Sequence, residues 1–209
     1  MGAYLNFDGS YNYVEIGSKS DSSSSLAIQQ LYSVSAWVYV TSRSNCAIIT
    51  QYSIDHNSHS RGISMNDSGH VRFWSRDSGG GWNDITSPAS LSINTWHHVV
   101  LVQNGAVIEG FINGASIGTL NMGSYLGGYR TYHTIAKYTN NTALWFYGKI
   151  NHVYIVNRVL SSSEITDLYN NKYVLLSGTI AYYPMDEGTG ATVYDEASNI
   201  YHGTIFGAW

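Results

Sequence analysis

The stretch "TWHHVVLVQNGAVIEGFINGASIGTL" (95–120) restricts the possible folds more than any other part of the chain. Asn-Gly occurs at 104–105 and again at 113–114, each time between strand-like runs. Asn-Gly tolerates the positive φ of a type I′ turn, the connection that suits two twisted antiparallel strands. A three-strand meander is therefore expected here. The same period of two recurs in "YSVSAWVYV", where Val34, Ala36, Val38 and Val40 share one face and Ser33, Ser35, Trp37 and Tyr39 the other. Both faces carry bulk, which marks a central strand. "CAIITQY" reads as a further strand, and "GISMNDSGHVRFWS" as a hairpin turning at Asp67-Ser68-Gly69. "DSGGGWND" reads as a loop, because three consecutive glycines cannot hold a strand. "TIAKYTNNTALWFYGKINHVYIVNRVL" adds two more strands. One short helix is expected near 162–170: Ser161 and Glu164 have capping-box spacing, and Ile165 with Leu168 form the apolar side. Many short strands without a βαβ rhythm give an all-β fold, a sandwich or barrel.

Only 11% of the 209 residues are charged, less than half the usual share, so hydroxyls, amides and phenols must cover much of the surface. The net charge is −4, and the ten Lys and Arg are scattered. Nucleic acid is excluded as a partner, since phosphates demand a basic stripe. No apolar run approaches the ~20 residues of a membrane span, so no membrane insertion is expected. Cys46 is the one cysteine, so no intrachain disulfide can form, and its setting in "CAIIT" reads as an inert core thiol. The opening "MGAYLNFDG" lacks the basic and apolar regions of a signal peptide. An extracellular, cell-surface or virion location is expected, with any signal trimmed or the protein assembled in the cytoplasm.

Five segments resemble laminin-G-like domains of the concanavalin A-like lectin/glucanase sandwiches, in family order: "YLNFDGSYNYVEI", "YSVSAWVYV", "NTWHHVVLV", "GFINGASIG" and "GKINHVYIVNRVLSSSEITDLYN". The resemblance covers nearly the whole chain. It implies two antiparallel sheets, one concave, packed as a jelly roll. It also bears on the last segment, "AYYPMDEGTGATVYDEASNIYHGTIFGA", which usually opens such domains and here stands last. The chain thus resembles a circular permutant: a single domain over 1–209, with 178–209 supplying the strands that usually come first. Sandwich termini often lie close together, so a permuted order can keep the same core. The tail either completes its own sandwich, donates strands to a second copy in a homo-oligomer, or belongs to a neighbouring repeat, which would leave Ile180, Tyr182, Ile205 and Phe206 exposed. The linker "NNKYVLLSG" is expected to pack rather than float.

No catalytic residues are assigned. Glycan-cleaving relatives carry clustered acids on one strand, whereas Glu15, Glu109, Glu164, Glu187 and Glu196 show no such pattern, and no nucleophile elbow is present. No metal ligands are assigned either. Where the family often has Gly-x-Ile-Asp-Glu, this chain has Gly148-Lys149-Ile150-Asn151-His152. Asp8, Asp186 and Asp195 keep a structural calcium open; the preferred role of Asp8 and Asp195 is organising turns. His56 and His59 read as polar loop residues, and His97-His98 as satisfied interior or interface histidines. Trp37 and Trp96 match structural positions of the family. Trp74, Trp82, Tyr125, Tyr129, Tyr132, Tyr138, Trp145 and Tyr147 are less constrained. Glycine-rich "SGGGWND" and "GSYLGGYRTYH" place aromatics beside amides and an arginine, so Trp82, Asn83, Asp84, Tyr129 and Arg130 are the expected ligand contacts. The leading expectation is a non-catalytic module that binds a glycan. The alternative is a structural subunit of a virion or extracellular fibre in contact with neighbouring proteins, since interfaces favour the same side chains. A glycan-cleaving enzyme is third.

Overall fold

A computed structural model of the chain describes residues 4–17, 30–53, 60–124, 131–138, 144–170, 173 and 175–207. Two antiparallel sheets form a sandwich. Sheet 1 has the order β1(Leu5–Asp8), β12(Tyr147–Val156), β3(Leu31–Val40), β8(Trp96–Asn104), β9(Val107–Ile112), β10(Ala115–Asn121), and β13(Thr179–Tyr183) also pairs β12. Sheet 2 has the order β14(Thr192–Val193), β15(Gly203–Phe206), β2(Tyr13–Ile16), β11(Thr131–Ile135), β4(Cys46–Ser53), β5(Ser60–Met65), β6(His70–Arg76), β7(Trp82–Ser90).

The meander forms as β8-β9-β10, but its two turns differ. At the second, Asn113 and Gly114 both have positive φ (52° and 80°), as a type I′ turn requires. At the first, Asn104 pairs with Val107, so Gly105 and Ala106 are the central residues and only Gly105 (φ 59°) is left-handed. Glycine first is the pattern of a II′ turn, so Asn104 ends β8 instead of turning. β3 lies between β12 and β8 and sends Val34, Ala36, Val38 and Val40 into the core, as its two-faced pattern requires. Phe7, Ile16, Ile63, Phe73 and Leu101 meet them from the other strands, and Phe146 from the residue just before β12. Each such side chain, fully buried, contributes about 1.5–3 kcal/mol.

The helix α1(Ser162–Tyr169) has Ser161 as N-cap with the expected reciprocal capping box to Glu164, and Ile165 and Leu168 are buried. These two join Val100, Val102, Phe111 and Tyr154 on the outer face of sheet 1, so the helix covers that face. Arg158 clamps Glu164 with both terminal guanidinium nitrogens, and this pairing together with the Ser161 bonds holds the carboxyl down at about 2. In the linker, Tyr173 stacks on His152 at 3.5 Å and Leu176 packs beneath α1, while Leu175 is exposed.

All three tail strands, β13, β14 and β15, pair within the chain. β13 lies along β12 from Val153 to Val156, directly beyond the stretch Tyr147–Ile150 that β1 occupies. Head and tail therefore share one side of β12. The break between them falls at Asn151–Tyr154, where the register shifts, His152 adopts φ 47° and its amide donates to the Pro184 carbonyl. β15 pairs residue for residue with β2, from Gly203↔Ile16 to Phe206↔Tyr13. Ile205 and Ala181 enter the core, whereas Phe206 is 39% exposed.

Cys46 is fully buried in the core, and burial pushes its thiol up to about 12. We expect no reaction with a thiol-specific chromogenic reagent in native protein at pH 8, and reaction only as fast as the sandwich opens. Fast native labelling would refute the core placement.

Candidate ligand-binding face

Side chains on a strand alternate between faces. In sheet 2, Ile63, Met65, Val71 and Phe73 point to the core. The outer face therefore receives Arg72, Trp74 and Arg76 from β6. The register pairs these with Thr86, Asp84 and Trp82 of β7. The Trp82 ring lies on Trp74 with centroids 4.3 Å apart and planes 19° from parallel. The guanidinium carbons of Arg72 and Arg76 lie 5.7 and 5.5 Å from the Trp82 ring. Asp84 accepts from the Trp82 indole N–H at 3.1 Å and from the Thr86 hydroxyl at 2.8 Å, which fixes the ring's direction. Beneath, Trp74 is stacked on its other side by Tyr138, and Tyr52 and Tyr132 complete a buried aromatic layer. Of this group Trp82 alone keeps substantial exposure, 39%.

This arrangement corrects the expectation of a loop. The glycine turn closes earlier than the sequence suggests: the Asp77 amide donates to the Gly81 carbonyl at 3.0 Å, so Trp82 already pairs with Arg76 as the first residue of β7. It also separates Asn83 from Trp82 and Asp84, since the middle residue of three on a strand faces the other way. The Asn83 amide donates to the Asp77 carboxylate (3.2 Å) and to the Gly81 carbonyl (3.1 Å). Asp77 also accepts from the amides of Gly79 and Gly81, and these bonds, Gly81 first, hold its carboxyl below the ordinary value. Asn83 thus braces the turn and does not present itself beside Trp82. Tyr129 and Arg130 lie outside the described residues, as do Tyr125, His56 and His59. The residues flanking that segment sit at this same end of the sheet: Ser78 donates to the Ser124 hydroxyl at 2.8 Å, and Thr131 pairs with Ser53.

A second exposed aromatic group occupies the far end of the same outer face and was not among the expected contacts. It joins Tyr11, Tyr13, Trp145 and Phe206, with Lys137 and Glu15 beside them. Sequence proximity gives no hint of it, because its members are nearly 200 positions apart.

Among the described residues no group of three or more His, Cys, Asp or Glu could hold a metal ion. Asp8 accepts from the Ser10 amide at 2.8 Å, and Asp195 accepts from backbone amides on both sides of its turn. Ser35 and His98 form a hydrogen-bonded pair at 2.7 Å, but both are buried, and desolvation drops the imidazole to about 3. Such a histidine is no base near neutral pH. Glu187 is raised by burial and sits near Asp186 and Glu196 in the tail, where its Oε1 accepts from the Tyr194 amide. No described helix is long and apolar enough to cross a membrane.

Solved structures similar to this fold are mainly binding domains. A heptameric SAP-like pentraxin from Limulus polyphemus matches with a TM-score of 0.65 at 12% identity, over 79% of this chain and 81% of that one. The carbohydrate-binding module CBM40 of the Ruminococcus gnavus IT-sialidase, solved with α2,3 sialyllactose, matches with a TM-score of 0.61 at 13% identity, over 80% and 97%. Domain 4 of AbnA, a GH43 extracellular arabinanase from Geobacillus stearothermophilus solved with arabinotriose, matches with a TM-score of 0.58 at 20% identity, over 68% of each chain. No curated protein matches in sequence. Residues 8–166 match the family model Laminin_G_3, of the concanavalin A-like lectin/glucanases superfamily. That match spans most of the chain, from the end of β1 into α1, and with the two-sheet topology it decides membership: this chain is a Laminin_G_3 member of the concanavalin A-like lectin/glucanases superfamily.

Proposed function

We propose that this domain is a non-catalytic glycan-binding module, acting outside the cell, whose primary contact is the Trp82 indole on the outer face of sheet 2. The observation that carries this reading is the geometry of Trp82. A half-exposed indole is held flat on a buried tryptophan, aimed by a carboxylate and bordered by two guanidinium groups. A sugar ring has an apolar C–H face edged by hydroxyls. The indole suits the first, and Asp84, Arg72 and Arg76 suit the second. Two of the similar folds were solved with sugars bound, which supports the same ligand class here.

Trp82→Ala is expected to weaken glycan binding at least about tenfold, about 1.4 kcal/mol, while leaving the fold intact, since the ring is on the surface. Asn83→Ala serves as a contrast: it is expected to leave affinity unchanged and to lower stability slightly through the loosened Asp77 turn. A glycan array followed by calorimetry on the best hit reads both. Equal affinity of Trp82→Ala and wild type would refute the contact, and silence across the array would refute the function. Tyr129 and Arg130, outside the described residues, belong to the same proposal as further contacts, and a bound calcium ion to the same titration, as a thermal shift on adding the ion.

A further inference from the structure

We infer that the second aromatic group, Tyr11, Tyr13, Trp145 and Phe206 with the groove beside Phe206, is a separate saccharide site that takes a neutral sugar ring. This extends the glycan reading above to a place on the molecule that the Trp82 contact does not reach.

The site is assembled by strand pairing. Val14, Ile16 and Ile205 go to the core, so Tyr13 and Glu15 on β2 and Thr204 and Phe206 on β15 point outward together. Tyr13 and Phe206 are directly paired, with rings 4.6 Å apart and 7° from parallel. Trp145 flanks Tyr13 at 5.6 Å and Tyr11 at 5.7 Å. The Lys137 ammonium sits 3.9 Å from the centre of the Tyr13 ring and 5.0 Å from that of Trp145. Beyond Phe206 opens a groove of about 340 Å³ bounded by Glu15, Ile200, His202 and Thr204. That volume falls at the lower end of the ~300–1,000 Å³ typical of small-molecule sites.

Two features set this group apart from the covered aromatics of sheet 2. First, the group reaches water: Tyr11 is 74% and Phe206 39% exposed, Tyr13 and Trp145 are half-buried, and Ile200 at the groove is 67% exposed. Trp74, Tyr52, Tyr132 and Tyr138, by contrast, are covered. Several large apolar groups exposed side by side around a concavity mark a binding surface more than scattered single ones do. Second, the charges at the site oppose one another. Burial raises the Glu15 carboxyl and lowers the Lys137 ammonium, and each acts back on the other in the opposite sense. One acid and one base leave little net field to attract an anion or a cation. They do leave an acceptor, Glu15, lining the groove beside Phe206, and a donor, Lys137, over the Tyr13 and Trp145 rings. Ring faces for C–H groups, with a carboxylate and an ammonium for hydroxyls, describe a neutral saccharide.

The two sites are distinct. Tyr13 on β2 and Trp74 on β6 are separated by β11, β4 and β5. Four steps of ~4.8 Å put them roughly 19 Å apart. No single sugar ring spans that distance.

The test uses the six indole N–H resonances of the full chain. Wild type and Trp82→Ala are titrated with neutral cello-, xylo-, manno- and arabino-oligosaccharides, and separately with sialyllactose as a charged probe. The expected result is that a neutral oligosaccharide shifts the Trp145 resonance in Trp82→Ala. The Tyr11→Ala/Phe206→Ala double change, made on that background, should then weaken the residual binding at least about tenfold. If Trp82→Ala removes all binding and the Trp145 resonance never moves, the second site is overturned while the glycan reading stands. If neither tryptophan responds in wild type, both fall. A response to sialyllactose alone overturns the neutral class. A concentration-dependent dimer, lost in the double variant and indifferent to sugar, overturns the site in favour of self-association.

Discussion

Asp195→Ala is expected to lower the stability of this domain by about 3–5 kcal/mol, because several backbone amides lose their shared acceptor at once. The carboxylate is 1% exposed. Its two oxygens accept from the backbone amides of Tyr182, Ala197, Ser198, Ile200 and Tyr201 and from the Ser198 hydroxyl. Four of those amides belong to the turn that leads into β15, and the fifth belongs to β13. One side chain thus ties β13 in sheet 1 to the turn before β15 in sheet 2. Alanine would leave several buried N–H groups without an acceptor, each costing about 1–3 kcal/mol where water cannot reach it. Urea denaturation of the two proteins measures the difference, and a loss below 1 kcal/mol would show that the turn holds without its centre.

The same residue predicts a pH dependence. Burial alone would raise the Asp195 carboxyl, but the bonds from Ser198, Tyr182, Ala197 and Tyr201 outweigh it and hold it below its ordinary value of 3.8. A carboxyl depressed by folding contributes stability that is present above the unfolded value and is lost as pH falls through the folded one. The wild-type melting temperature should therefore fall in acid below about pH 3.9, and Asp195→Asn should remove that part of the slope. Identical acid limbs for the two proteins would count against the assignment.

Gly148→Ala is the second large effect. Gly148 sits in β12 between Phe7 of β1 and Val40 of β3, with φ 153°. A Cβ there would lie 2.0 Å from the Tyr39 carbonyl oxygen and 3.0 Å from the Phe146 ring. The carbonyl belongs to a central strand and cannot step aside without breaking the ladder. A loss of about 3 kcal/mol or more is expected, in the range reserved for forced strain in a core. Gly118→Ala is the internal control. Its φ of 135° is also unfavourable, but nothing lies within 4 Å of the added carbon. Its cost should be only the backbone share, about 1–2 kcal/mol. Thermal melts of both variants separate clash from strain, and equal losses would refute the close approach at Gly148.

Much of the fold was legible because its signals are local. β3, the β8-β9-β10 meander, the β5-β6 hairpin and the capped helix α1 each follow from residues within about ten positions of one another. Alternation marks a strand and its buried face, Asn-Gly or Asp-Ser-Gly marks a turn, and Ser161 with Glu164 marks a helix start. The errors were local as well, and small. Asn104 proved to end a strand, and Trp82 to begin one, because backbone pairing across the hairpin fixes where a turn closes.

The candidate sites were legible only in part. Trp82 and Asp84 were chosen from composition and do share a face, but Asn83 between them serves the Asp77 turn. Strand alternation would have separated them, had the segment been read as a strand. The Tyr11–Tyr13–Trp145–Phe206 group left no mark in the sequence. What the sequence determined by itself was β3, β4, the β5-β6 hairpin, the β8-β9-β10 meander, the helix α1 and the inward face of each, since these depend on neighbours in the chain. What only the tertiary structure decided was which strands lie side by side. The pairing of β15 with β2 and the meeting of β1 and β13 along β12 are long-range choices. They rest on matching apolar faces across a sheet, and matching of that kind has no period in the sequence.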